Sequence, residues 1–229
     1  MNKAMAIAAT RFGFGPGPQD ELGSDPKSWL KAQLQGEDPG LASGAFAGLR
    51  TGRGLNEDLG RECMELHTAG LVAGYSQADV TSMAKILTGW GIATSDKGAD
   101  ATGFFYRPNT HEPGPQAVMG HQFDGGEQAG IDALTFLSTY PTTYKRLAKK
   151  LVTHFVADNP PPDAVRRIAE VLTDTQGDLG VASAALVDLP QAWVPGQKLK
   201  TPQEFMISTL RAAPAPSAQT PRRLLWVGR

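Results

Sequence analysis

Five side chains have the types from which a metal or acid–base site could be assembled. Glu62, Glu65 and His67 lie in one segment, and His111 and Glu112 lie together in a Pro/Gly-rich loop, HEPGP. Imidazole and carboxylate groups bind divalent metals or move protons, so a hydrolase built on Glu62, Glu65, His67 and His111 is conceivable. In it, His67, His111 and Glu112 would hold a divalent metal. The spacings are incomplete, however. Glu65 and His67 are two residues apart and point to different sides of a helix. The Glu-x-x-His pair of di-iron bundles is missing. His111-Glu112 is not followed by the second histidine of a zinc-protease helix. His121 stands alone and reads as a turn histidine.

A plainer reading competes with that one. Asp58, Glu62 and Glu65 recur at i, i+4 and i+7, and Arg146, Lys150 and His154 at i, i+4 and i+8. Carboxylates at such spacing repel one another and call for cations, which Arg61 supplies in part through Glu57 and Glu65. The two stripes could face each other as an ion-pair network of Asp58, Arg61, Arg146, Lys150 and His154 that sets helix register and does no chemistry. Such networks are commoner than active sites among titratable residues of unknown position.

Other chemistries have weaker signals. No G-x-S-x-G elbow and no P-loop occur. Gly13, Gly15 and Gly17 imitate a phosphate loop, but Pro16 and Pro18 remove two N–H donors that it would need. Cys63, the only cysteine, shares an apolar stripe with Leu59 and Leu66 and reads as a small buried hydrophobe.

The elements that must position these groups are mostly helical. A short first helix is expected over 2–10 and a loop over 11–18. Asp25-Pro26 opens the next helix, and the Gly/Ala-rich stretch 36–54 reads as a linker. Asn56 caps a helix running to Thr68, with Gly70 behind it. Ser76 and Asp79 form a capping box, with Tyr75 and Val80 as a hydrophobic staple. Val80, Met83, Ala84 and Leu87 are that helix's buried stripe. Within 102–123, Phe104–Tyr106 and Ala117–Met119 suggest a short two-stranded ribbon. Helices follow over 127–139, 143–156, 162–175 and 180–188, and a last one over 202–212 is opened by Thr201-Pro202 and Glu204. The predicted fold is all-α, an irregular multi-helix domain spanning 1–213 with one small β-ribbon and a tail over 214–229.

Composition narrows the function. Lys and Arg number 22 and Asp and Glu 23, a balance without the footprint of a general nucleic-acid binder. No apolar run approaches the ~20 residues of a membrane span. The N-terminal apolar stretch is too short for a signal peptide, so a cytoplasmic location is expected and a periplasmic one stays open.

Together these residues resemble a bacterial family, domain of unknown function 1800. The resemblance rests on NEDLGRECMELHTAG at 56–70, GYSQADV at 74–80, LTGW at 87–90, F-x-Y-R-P-x-x-H-E at 104–112 and VMG at 118–120. It continues through YPTT at 140–143, KLVTHFV at 150–156, D-x-P-P at 158–161 and K-x-K-T-P-x-E at 198–204, and RFGFG at 11–15 agrees. The family is largely helical and brings no established activity. Here His111-Glu112 stands where it usually has His-Asp, and Gln116 where a lysine is common. The expected function is a helical binding or assembly module with a protein partner; the alternative is the hydrolase above.

Overall fold

The computed structural model describes residue 7 and residues 25–33, 55–92 and 104–212. Ile7 is helical and buried, while the remainder of 2–10, the loop 11–18, the linker 36–54 and the tail 214–229 lie outside the described residues. Eight α-helices can be delimited among them. They are α1 (Pro26–Gln33), α2 (Glu57–Glu62), α3 (Gln77–Ile86), α4 (Glu127–Ser138), α5 (Pro141–Phe155), α6 (Pro162–Asp174), α7 (Leu179–Asp188) and α8 (Pro202–Ala212). The chain is mostly helical, as its periodicity predicts, but the one ribbon expected of Phe104–Tyr106 with Ala117–Met119 does not form; each segment pairs with another partner.

The helix starts follow their capping chemistry. Leu59 N–H donates to Asn56 Oδ1 at 3.3 Å. Ser76 N–H donates to Asp79 Oδ2 at 2.7 Å and Asp79 N–H to Ser76 Oγ at 3.2 Å, the reciprocal box that satisfies two otherwise orphaned donors. Thr201 and Glu204 repeat the device at α8, at 2.7 and 3.2 Å. The helix expected to run to Thr68 changes coil after Glu62: Cys63–His67 is a π-helical turn. Gly70, at φ +74°, then closes it by donating its N–H to Met64 O at 2.8 Å.

Among the described residues the β structure is two ribbons. β1 (Trp90–Ile92) pairs with β2 (Phe104–Tyr106), and β3 (Gln116–Val118) with β4 (His121–Phe123), both antiparallel. Phe104–Tyr106 therefore takes its partner from the Gly89-Trp90-Gly91 segment, which the sequence suggests only as a helix end. Met119-Gly120 makes the β3–β4 turn, with φ +51° and +78°. These are the left-handed values that a two-residue hairpin demands. The strain at Met119 is held by Asp79 Oδ1, which accepts the Met119 N–H at 2.7 Å.

Two large apolar clusters and one small one hold the described elements. In the first, Met64, Val80, Met83, Ile86, Val118 and Leu137 are fully buried, joining the π turn, α3, β3 and α4. Gly60 lets α2 lie directly on α3, because a Cβ there would sit 2.6 Å from Val80 O and 2.9 Å from Ala84 N. In the second, Ala148, Val152, Ile168, Leu172 and Leu186 bring α5, α6 and α7 together. Complete burial of each such large side chain contributes about 1.5–3 kcal/mol relative to exposure. On α1, Leu30 packs against Val187 and Trp193, and Lys31 pairs with Asp188 at 2.7 Å.

Candidate functional site

His111, one of the three candidate metal ligands in the sequence, has both ring nitrogens engaged. Nδ1 lies 2.9 Å from Thr88 O, and Gly126 N–H donates to Nε2 at 2.9 Å. A carbonyl only accepts and an amide N–H only donates, so these partners require the neutral Nδ1–H tautomer. The Thr88 hydroxyl completes the clasp by accepting the Glu112 N–H at 2.7 Å. His111 thus ties the end of α3 to the start of α4.

Of the other candidates only Glu112 joins this clasp, and through its backbone N–H rather than its carboxylate. Glu62, His67 and Glu112 are exposed, and Glu65 is half-buried. The Glu65 carboxylate accepts the Tyr75 hydroxyl at 3.4 Å. Burial and the Glu65 charge together push that phenol up from its ordinary value. Among the described residues, no three of His, Cys, Asp and Glu stand close enough to hold one metal ion. Cys63 is buried, and desolvation pushes its thiol up to about 11.

The basic stripe reaches the segment that carries the acidic one through backbone carbonyls, not through its carboxylates. Arg146 reaches from α5 to the end of the π turn, where Nη1 donates to Leu66 O, and to Thr68 O at 3.4 Å. Its partners are backbone carbonyls at a helix C-terminus, which carry partial negative charge. Arg61 bonds Gln77 Oε1 at 2.6 Å. Three ion pairs occur among the described residues: Lys31–Asp188, Arg166–Glu170 and Lys198–Asp158. Asp58, Arg61, Arg146, Lys150 and His154 take part in none of them.

Arg146 instead sits in an open cleft of about 790 Å³. One wall is the turn Gly70–Val72 that follows the π coil. The other is a single face of α5, presenting Thr142, Lys145, Arg146, Lys149, Lys150, Thr153 and His154, with Lys198 beside it. The α5 positions step by i, i+3, i+4, i+7, i+8, i+11 and i+12, one continuous helical stripe. The opposite stripe, including Tyr144, Ala148 and Val152, goes into the core. That amphipathic pattern is why α5 must turn its cations outward.

Gly70 is required where the walls approach, since a Cβ there would meet Arg146 Cδ at 2.9 Å and its φ is left-handed. Lys198 is bonded to Asp158, whose carboxyl this bond lowers first, with Leu199 N–H adding to the effect. The Glu204 charge lies close enough to feel His154 and Lys198. Acids therefore serve one end of the cleft. Along its middle, Lys145, Lys149 and Lys150 have no ion-pair partner among the described residues. The Thr142 hydroxyl, buried on the same wall, finds no hydrogen-bond partner there.

Sequence reading found three of the five basic positions of this stripe, Arg146, Lys150 and His154. It passed over Lys145 and Lys149, although both sit on the adjoining helical positions. Leu71 and Val72 gave no signal, because their exposure follows from the turn after the π coil.

Among the described residues, fold and cleft define a mostly helical protein with a cationic groove. The model of the family described as "Protein of unknown function (DUF1800)" matches residues 36–227, and the chain belongs to that family. No curated protein and no solved structure matches it. No helix among the described residues is long and apolar enough to cross a membrane.

Proposed function

We propose that this chain is a helical binding module and that its binding site is the cleft between the Gly70–Val72 turn and the cationic face of α5. The observation that carries the reading is Lys145, Lys149 and Lys150 on one wall of a cleft, without ion-pair partners among the described residues. Like charges at i, i+4 on one helix face repel. A recess lined by one sign of charge concentrates the field and favours ligands of the opposite sign. The rival reading, an enzyme using Glu62, Glu65, His67 and His111, draws no support from His111, whose two nitrogens are occupied.

Retention on immobilised polyglutamate at low salt tests the reading. The wild-type chain and an Arg166→Glu/Arg167→Glu variant on the exposed side of α6 should be retained. A Lys149→Glu/Lys150→Glu variant, with the same net charge as the first, should flow through. Equal loss in the two variants would mean general surface attraction, and the cleft would have no special role.

A further inference from the structure

We infer that the occupant of this cleft is an acidic protein segment carrying apolar side chains among its carboxylates; the inference rests on the cleft being the binding site. The first observation is charge. Lys145, Lys149 and Lys150 span about 8 Å along α5 at 1.5 Å per residue, the reach of two to three extended residues at about 3.3 Å each. Arg146 is already committed to Leu66 O and Thr68 O, so it braces the wall and leaves the three lysines for the ligand.

The second observation is apolar. Leu71 and Val72, on the facing wall, are 70% and 83% exposed. A ligand made only of charge would cover the lysines and leave both of these side chains in water. A ligand with apolar side chains beside its acids covers both walls at once. The third observation is the absence of any aromatic side chain among the described residues that line the cleft, apart from the imidazole of His154 at its acid-served end. A nucleic-acid strand would lack the stacking platform that usually supplies much of its affinity. A bilayer is flat and would meet the exposed lysines without entering between the two walls. A slender polypeptide enters such a recess.

Fluorescence anisotropy on the full chain tests this with three labelled probes at one ionic strength. They are a Glu-rich peptide of about eight residues with two leucines, the same peptide with serines for the leucines, and an oligothymidylate of equal length. Sedimentation with phosphatidylserine vesicles is the fourth measurement. The leucine peptide should bind about fivefold tighter than the serine peptide. Leu71→Ser/Val72→Ser should abolish that difference and leave the serine peptide's affinity unchanged. Lys145→Glu/Lys149→Glu/Lys150→Glu should weaken both peptides by about tenfold or more, with an unaltered circular dichroism spectrum. Equal affinities for the two peptides, tighter binding of the oligothymidylate, or co-sedimentation with vesicles would each overturn the inference while leaving a cationic binding cleft in place. Binding of no probe at all would overturn the cleft as a binding site, and this inference with it.

Discussion

His111 and Cys63 show how a residue's role depends on what its atoms touch. His111 bonds two backbone groups that lie 23 and 15 residues away along the chain. Removing its ring leaves Thr88 O and Gly126 N–H without those partners, and an unsatisfied half-buried group costs about 1–3 kcal/mol. His111→Ala is therefore expected to lose about 2 kcal/mol in urea denaturation. An unchanged midpoint would mean that the clasp contributes nothing to the fold. Cys63 was legible in the sequence, because its place on an apolar stripe already marks it as core. With its thiol raised to about 11, little thiolate forms near neutrality. Its reaction with an aromatic disulfide reagent at pH 8 should be slow in the native chain and rapid in denaturant. His111 was harder to read. A loop histidine beside a glutamate has the composition of a ligand pair, and only contacts made across the fold reveal that both nitrogens are in use.

Elements were legible where local chemistry determines them. The boxes at Ser76/Asp79 and Thr201/Glu204 follow from residue types three positions apart. Thr201→Ala should cost about 1 kcal/mol and leave the other helices intact. A thermal melt unchanged by that substitution would place the start of α8 elsewhere. The π turn and the second ribbon were not legible in this way. No spacing rule distinguishes Cys63–His67 from one more α-turn, and the Met119-Gly120 turn lacks the Asn or Asp usual at its first position. What replaces that residue is a long-range bond from Met119 to Asp79. Asp79 thus joins α3's cap to the hairpin, and this gives a pH dependence. Partial burial raises its carboxyl, but hydrogen bonds from Ser76 Oγ, Ser76 N–H and Met119 N–H outweigh that and hold it below 3.8. A carboxyl lowered in the fold stabilises at pH above its unfolded value, and the contribution disappears as pH falls through the folded value. Denaturation midpoints should therefore drop on acidification below about pH 4, less steeply in Asp79→Asn than in the wild type. Parallel slopes for the two chains would show that Asp79 makes no such contribution.

Over the whole molecule, the near balance of charge, −1 at neutrality, conceals a segregation that only the fold exposes. Composition averages over surfaces, so it could not report four cations at successive positions on one face of α5. Nor could helical periodicity place that face opposite the Gly70–Val72 turn, since the two walls come from segments far apart in the chain. This arrangement allows a structural role for the cations to be separated from a binding role. If the lysines held the fold together, reversing one would destabilise it. No ion pair among the described residues uses Lys149, and Lys145 lies four residues before it on the same exposed face. Lys149→Glu replaces that repulsion with an attraction, and it also places a carboxylate three residues from Arg146. Each exposed i, i+3 or i, i+4 pair is worth about 0.2–0.5 kcal/mol, so the variant should be more stable than the wild type by a few tenths of a kcal/mol at low salt. The gain should shrink as salt screens the pairs. The same variant should bind polyglutamate more weakly. Higher stability with weaker binding is the signature of residues kept for a ligand at the expense of the fold. A loss of stability in Lys149→Glu at low salt would instead assign the stripe to the architecture and leave the cleft without a functional argument.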